Sequence, residues 1–466
     1  MYNAYVTRIK NLRKHPNADR LQLGECFGNT VCVSLDYEDN QLGVYFPTDG
    51  QLSEEFAEKN NLLRKKDDSG NNIGGYMDPQ KRNVTAIKLR GEKSDGLFLP
   101  LESLKDFGDI STLKEGDIIS IFNGHEIACK YIPKANYKRA YNEKTNKTRK
   151  KKVPIAPLFA EHADTEQLAY NLFAFKPGDE IEISLKMHGT SQRTGYLPAL
   201  KGYKDSYACK AGNAFRHLIN RIVGKELYKD NHDGEPIYEY DYVSGTRRTV
   251  LENYEGGFYG DNHFRQQHHD KFVGKLMKGE TVYYEVVGFT DSGAPIMGNG
   301  KNEKLGKDFV KQYGKETVFS YGCSPNGLSN KSITADIVPV SECYVYRMTM
   351  TNEDGFVVEY SPNFMRYRCE QMGVKCVHVF WKGALIDTHD VYAKENMENY
   401  LMELVERFYD GADPIGKTHI REGVVVRIVN RPKFTAFKHK NFSFKVLEGI
   451  IKDTASAPDM EEAQEV

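Results

Sequence analysis

The stretch that most constrains this chain is Glu182-Ile-Ser-Leu-Lys-Met-His-Gly-Thr-Ser191. Ile183 and Leu185 alternate with Glu182, Ser184 and Lys186, the period-2 signature of a half-buried strand. The strand stops at His188-Gly189-Thr190, so a lysine is delivered to a strand end beside a glycine turn, where backbone can approach a ligand closely. Other strand-like runs carry single charged residues at comparable places. Glu285 follows Val282-Tyr-Tyr, Glu422 precedes Gly423-Val-Val-Val, and Lys438 and Lys440 share one face of a run from Phe437.

Read in order, these segments resemble the motifs of the covalent nucleotidyltransferases. Lys186-Met-His-Gly189 resembles motif I of the ATP-dependent RNA ligases, and Tyr242-Val-Ser-Gly-Thr-Arg-Arg248 resembles motif Ia. Val282 to Gly288 resembles motif III, Glu342 to Met348 motif IIIa, Arg421 to Arg427 motif IV, and Phe437 to Lys445 motif V. A competing motif Ia at Cys209-Lys-Ala-Gly212 is less favoured, because a helix expected over about 264 to 278 leads from Arg247 straight to motif III. The order is that of the superfamily, and the chain as a whole resembles the fifth RNA ligase family, which joins an N-terminal OB domain to a nucleotidyltransferase domain.

The resemblance implies an α+β protein: an OB-type β-barrel, then an ATP-grasp-like nucleotidyltransferase domain of antiparallel sheets and helices. The expected boundaries are 1–125 for the RNA-binding OB domain, 126–178 for a basic linker or arm, 179–450 for the adenylyltransferase domain and 451–466 for an acidic tail. It implies that Lys186 attacks the α-phosphate of ATP to form Lys186-AMP, that AMP passes to an RNA 5′-phosphate, and that a 3′-OH then displaces it, within a nicked duplex or at an open break. ATP and Mg²⁺ (or Mn²⁺) are the expected cofactors, with Glu285 and Glu422 holding the metal and the ribose hydroxyls. His188 and Gly189 flank the nucleotide, Tyr346 (or Tyr344) stacks on adenine, Arg247 meets a phosphate or the RNA 3′ end, and Lys438 and Lys440 neutralise the leaving pyrophosphate. The chain departs from the pattern in an insertion at 201–233, in its basic linker, and in Arg347, where an acid is common.

DNA ligases and capping enzymes carry an OB domain after motif V. Here only about twenty residues follow Lys445, too few for a barrel. A non-catalytic RNA-binding protein would give no reason for Lys186, Glu285, Glu422, Lys438 and Lys440 to occur together.

Outside the motifs, the sequence says less. Short β-like runs at Ala4–Ile9, Leu21–Cys26, Val31–Leu35, Leu42–Phe46, Val84–Leu89 and Ile118–Phe122 suggest a small barrel. Within it, His15 to Leu21 and Ile87 to Leu97 resemble tRNA-binding OB modules, with Arg20, Lys88, Arg90 and Lys93 as the exposed basic residues. Lys138 to Lys152 is either a phosphate-holding arm or a solvated tether. A helix is expected at about 165–174, an amphipathic packing stretch over 215–227, and a helix over 391–410 burying Leu401, Leu404, Val405 and Phe408. The group His263, His268, His269 and Asp270 lacks zinc-site spacing. Gly293 to Gly300 lacks the Gly-Lys-Ser/Thr ending of a P-loop.

The net charge of −1 neither supports nor excludes a polyanionic partner. No apolar run reaches membrane-span length, and the first residues carry no secretory signal. The 8 cysteines are scattered, as expected of reduced thiols. The chain is therefore expected to be a cytoplasmic monomer with no membrane partner.

Overall fold

The computed structural model describes residues 2–66, 69–70, 72–132, 153–225, 227–255, 259, 262–328, 337–385 and 391–453. The basic stretch from 138 to 152 and the acidic tail beyond 453 lie outside them.

Two sheets build the region that follows residue 153. The five-stranded sheet runs Glu166–Gln167, Thr435–Lys440, Gly423–Ile428, Glu180–Lys186, Val379–Ala384; all neighbours are antiparallel except the first pair. The seven-stranded sheet runs Val250–Leu251, Pro236–Gly245, Thr190–Tyr203, Glu280–Gly288, Ser341–Thr351, Val357–Glu359, with Lys375–Cys376 added in parallel to Ser341–Thr351. The alternation read in the sequence decides how the first sheet is used. Ile181 and Ile183, with Ile428 and Val426 opposite and Val424 beside them, are buried against Leu401, Leu404 and Val405 of the helix Val391–Tyr409. Burial of side chains this size contributes roughly 1.5–3 kcal/mol each. The alternate residues Glu182, Ser184 and Lys186, with Val425 and Arg427, face the other way into a cleft. The Val424-Val-Val426 strand is thus buried on one face and lines the cleft on the other.

Several sequence expectations are corrected. The stretch at 165–174 is not an α-helix: Glu166–Gln167 pairs with Phe437–Lys438, and two short 3-10 turns follow. A helix there would leave the edge of the Lys438 strand unpaired. The helix expected over 264–278 ends early, spanning His263–Asp270. The amphipathic stretch in the insertion is a helix over Tyr207–Val223, but its apolar side does not pack. Tyr207, Phe215, Leu218 and Ile222 are exposed, while Asn213 and Asn220 turn inward to hold the 227–231 loop. The polar side chains win the inner face because they satisfy that loop's backbone.

The N-terminal strands largely match expectation, at Tyr5–Arg8, Leu21–Cys26, Asn29–Ser34 and Leu42–Phe46; Ile118–Phe122 shrinks to Ile121–Phe122. They pair as several small sheets, and no closed barrel forms among the described residues. The two stretches resembling tRNA-binding modules interlock. His15 Nε2 lies 3.1 Å from Leu89 O, and Asn17 Nδ2 donates to Arg90 O at 2.9 Å. Arg90 and Lys93 are exposed, as is Lys88, but Lys88 Nζ also donates to Leu305 O at 3.0 Å. The N-terminal region is packed onto the rest of the chain. Lys445 Nζ meets Asp95 Oδ2 at 2.6 Å, and the Tyr170 ring packs tilted or edge-on against Tyr5, Phe27 and Tyr45.

Candidate active site

The two sheets face each other across a cleft. Its floor comes from the five-stranded sheet: Glu182, Ser184 and Lys186, then Val425 and Arg427, then Phe434, Ala436 and Lys438. Its roof comes from the seven-stranded sheet: Ser191, Arg247, Glu285 and Tyr346. Five of the residues singled out in the sequence, Lys186, Arg247, Glu285, Tyr346 and Lys438, therefore line one cavity although they span more than 250 positions of sequence. Lys210, on the alternative motif Ia, sits exposed on the insertion helix and does not line it.

Glycines make the convergence possible. A Cβ on Gly189 would lie 2.4 Å from Val286 O and 2.8 Å from Glu285 Cγ, so the chain leaving Lys186 passes tight against the Glu285 strand. Gly423 has φ +146° and a Cβ there would sit 2.1 Å from His439 O. The Glu422-Gly423 pair thus needs glycine to bring Glu422 beside the lysine strand.

Behind the lysine lies a charged cluster. Lys186 Nζ is 2.8 Å from Glu422 Oε1, and Lys440 Nζ is 3.4 Å from the same oxygen. Lys440 also binds Glu448 Oε2 at 2.9 Å. The expectation that Lys438 and Lys440 both face a triphosphate is narrowed: Lys438 lines the cleft, whereas Lys440 is engaged by Glu422 and Glu448. His188 stands 3.8 Å from Glu422 Oε2, and its ring is wedged edge-on between Phe319 and Phe444. Burial pushes its pKa down against the pull of Glu422 and Glu448, so the imidazole stays neutral. Its backbone N–H donates to Tyr321 Oη at 2.7 Å. Glu422 is buried, yet its Oε2 accepts no hydrogen bond. A buried carboxylate oxygen without a donor is costly unless a cation meets it.

Tyr346 reaches the cleft through a bulge. Tyr283 pairs with Arg347 and Tyr284 with Val345, which leaves Tyr346 as the extra residue on its strand. Tyr344 is therefore not its same-face equivalent, and it packs in the core with Val345 and Met348. Tyr346 Oη lies 3.3 Å from Ser191 Oγ and 3.1 Å from His162 Nδ1, and Ser191 Oγ donates to Glu285 Oε2 at 3.3 Å. Burial, then the Glu285 charge, pushes the Tyr346 phenol up, so it remains a donor.

At the inner end, Arg347 takes the place where an acid was expected. It is buried, donates through Nε to Glu359 Oε1 at 2.9 Å, and stacks between Tyr283 and Phe434 at 4.5 and 4.9 Å. Arg427 shares Phe434 at 5.0 Å, and Glu182 binds Arg366 at 2.8 Å. The sequence reading missed His162, Asp164, Glu182, Ser191, Tyr321 and Arg427. Only Glu182, Ser191 and Arg427 had a usable signal, their same-face spacing along strands already identified.

The other sequence-level candidates go elsewhere. His268 Nε2 pairs with Ser341 Oγ at 2.9 Å and His269 Nδ1 with Thr194 Oγ1 at 3.1 Å. His268 lies near Glu342 and Cys343, but Lys271 and Lys375 already occupy Glu342. Ile296 and Met297, on the glycine-rich loop, are buried in the core, and the loop does not line the cleft.

No protein-family model matches the chain. No curated protein matches it either. Among solved structures it is similar to the RNA ligase of Naegleria gruberi. A lysine-to-alanine variant with ATP and manganese superposes with TM-score 0.50 at 13% identity, covering 95% of this chain and 98% of that one. A second lysine variant with ATP and manganese gives 0.50 at 14% over 95% and 97%. An apo lysine variant gives 0.51 at 14% over the same shares. At this identity the likeness establishes the fold alone: the mixed, mostly sheet architecture is shared with that protein over nearly the whole chain.

Proposed function

We propose that this chain is an ATP-dependent RNA ligase that joins 3′-OH and 5′-phosphate RNA ends through a Lys186-AMP intermediate. One observation carries the reading. A strand-end lysine, the Glu285 carboxylate, a motif V lysine, an arginine and a bulged tyrosine from distant segments line a single cleft, with Glu422 held behind the lysine. The fold shared with an RNA ligase whose structures hold ATP and manganese agrees with it.

In this reading the base lies under Tyr346 and over Val425, and the phosphates point toward Lys186 and Lys438. Lys186 must leave Glu422 and lose its proton before its Nζ can attack the α-phosphorus. The bond from that phosphorus to the bridging oxygen breaks, and pyrophosphate departs with Lys438 offsetting its charge. The donor set is all carboxylate, which suits Mg²⁺ or Mn²⁺, and the partnerless Oε2 of Glu422 is where a cation fits best, with Glu285 as second ligand. Such an ion would supply charge neutralisation at the phosphates. Residues 1–125 are read as an OB-type RNA-binding domain that holds RNA ends in register, 126–178 as an arm, 179–450 as the catalytic domain and 451–466 as a tail. The fifth-family assignment, the monomeric state and a cytoplasmic location belong to the same reading.

Incubation with ATP labelled in its α-phosphate tests it. Acid-labile label on Lys186, followed by sealing of 5′-phosphate but not 5′-OH RNA, is the expected result. Label on another residue, or none, would refute the assignment.

A further inference from the structure

Residues 160–167, which precede the Lys186 strand, run along the cleft, and His162 and Thr165 line it. Ala160 O accepts from Arg193 at 2.8 Å and from Tyr283 Oη at 3.0 Å, and the His162 N–H donates to Arg247 O at 3.2 Å. Farther on, Glu166 and Gln167 pair with Phe437 and Lys438. Between these anchors stands Asp164, whose carboxylate is gripped by both arginines of the motif Ia turn. Arg247 Nε reaches Oδ1 at 3.0 Å, its NH2 closes on the same oxygen, and Arg248 NH2 reaches Oδ2 at 3.4 Å.

We propose that Asp164 is a built-in occupant of a phosphate site formed by Arg247 and Arg248 beside the cleft, displaced when a phosphate monoester binds. The inference rests on reading the cleft as an adenylyl-transfer site. Two guanidinium groups presenting separate N–H donors to separate oxygens is the grip that suits a phosphate as well as a carboxylate. The Asp164 side chain is 52% exposed and Arg248 47%, whereas Arg247 is 17% exposed and seated in the wall, so the carboxylate is the partner that can leave Arg247. The acids paired with other cleft cations are different, Glu422 opposite Lys186 being 2% exposed and Glu359 opposite Arg427 10%. An exposed pair contributes little to stability, and a phosphate monoester brings roughly −1.5 to −2 of charge where Asp164 brings one. The anchors on both sides hold the backbone, so rotation of the Asp164 side chain withdraws its carboxylate without moving the chain. Burial works to raise its pKa, but Arg247 more than offsets that and holds the carboxyl below its usual range, so the occupant is anionic at neutral pH.

The test compares wild type with Asp164→Asn in the full chain, using a 5′-phosphate RNA oligonucleotide, the same oligonucleotide with 5′-OH, and ATP as probes. Asparagine keeps the shape and removes the competing charge. Affinity for the phosphorylated RNA should rise on the order of threefold to tenfold, with 5′-OH RNA unchanged. A rise for ATP instead would support the site and assign it to the nucleotide's phosphate. Adding Arg248→Ala to Asp164→Asn should remove the gain. Unchanged or weaker binding of both phosphorylated probes by Asp164→Asn would overturn the proposal and leave Asp164 as a group that merely orients Arg247. Absence of Lys186-AMP in the wild type would instead refute the underlying reading, whatever Asp164→Asn does.

Discussion

Glu422 Oε1 lies 2.8 Å from Lys186 Nζ, on a side chain whose exposure is only 2%. The contact is short because Gly423 lets its strand close on the Lys438 strand, and because both strands of the pair bury their other face. The same oxygen also reaches Lys440. Glu422 therefore fixes the position of the Lys186 ammonium and offsets the charge of two neighbouring ammonium groups with one oxygen.

Glu422→Gln should preserve this packing while removing the charge that organises it. Single-turnover formation of Lys186-AMP should slow on the order of a hundredfold or more, the usual effect of losing one preorganised electrostatic group. Lys186→Ala should abolish adenylylation outright and leave the circular dichroism spectrum intact. Normal adenylylation by Glu422→Gln would remove Glu422 from the chemistry.

How much of this was visible beforehand depends on whether a signal was local. The Lys186 strand announced itself through alternation, and Glu285, Glu422 and Lys438 sit where strand patterns put them. Tyr346 could not be separated from Tyr344, because the choice depends on a bulge against Tyr283 and Tyr284 that periodicity does not record. His162 and Asp164 lie in a segment without periodicity, and contacts some 80 to 180 residues away bring them to the site. The insertion helix misled because a strong apolar stripe ordinarily means burial. Here Asn213 and Asn220 claim the inner face for hydrogen bonds to a loop.

Gly189→Ala should destabilise the fold by about 2 kcal/mol or more, since its Cβ would meet backbone at 2.4 Å. Gly423→Ala should behave likewise, with an added cost from its positive φ. Gly212 is the control: it lies inside the insertion helix with open space around it, so Gly212→Ala should stabilise by up to about 1 kcal/mol. Chemical denaturation midpoints would separate the three. Equal effects would mean that the close approaches are relaxed at little expense.

Tyr346→Ala should raise the KM for ATP at least tenfold, because base–aromatic stacking contributes about 1–3 kcal/mol. Tyr346→Phe keeps the ring but loses the contacts to Ser191 and His162, so its KM should move only a few-fold. If the phenylalanine variant proves as poor as alanine, the hydroxyl network rather than stacking positions the nucleotide.

His268 gives a pH prediction. Burial pushes its pKa from 6.5 to about 3, with Lys271 adding to the effect. The unfolded chain then binds a proton that the folded chain refuses, so this group's contribution to stability is complete above about pH 6.5 and falls as pH drops toward 3. His268→Asn should be less sensitive in that window. Urea midpoints at pH 7.5 and 5.5 would show wild type losing more than the variant, and parallel losses would mean that His268 is protonated in the folded state.

The last prediction concerns the joint between the N-terminal region and the two large sheets. All the named motifs follow residue 180, which taken alone would let a piece beginning near residue 153 adenylylate on its own. The structure argues otherwise. Lys445 Nζ is bonded to Asp95 at 2.6 Å, with side-chain exposures of 14% and 7%, and Lys93 lies over Phe442 at 5.4 Å. Phe442 and Phe444 sit on the helix that carries Glu448, and Phe444 packs against His188. Removing residues 1–125 would uncover Phe442 and strand Lys445, one turn from that packing. Asp95 Oδ1 already lacks a partner, so Lys445→Met would leave a buried carboxylate with no cation, at about 3–5 kcal/mol. Replacing both, with Asp95→Leu and Lys445→Met, removes the orphaned charge and should recover most of that loss. The truncated chain should be unstable and adenylylate poorly, whereas the doubly substituted full chain should adenylylate nearly as well as wild type. Thermal midpoints with a Lys186-AMP assay on all four full-length proteins would decide it. Additive losses in the double variant would show that the joint is held by something other than this pair.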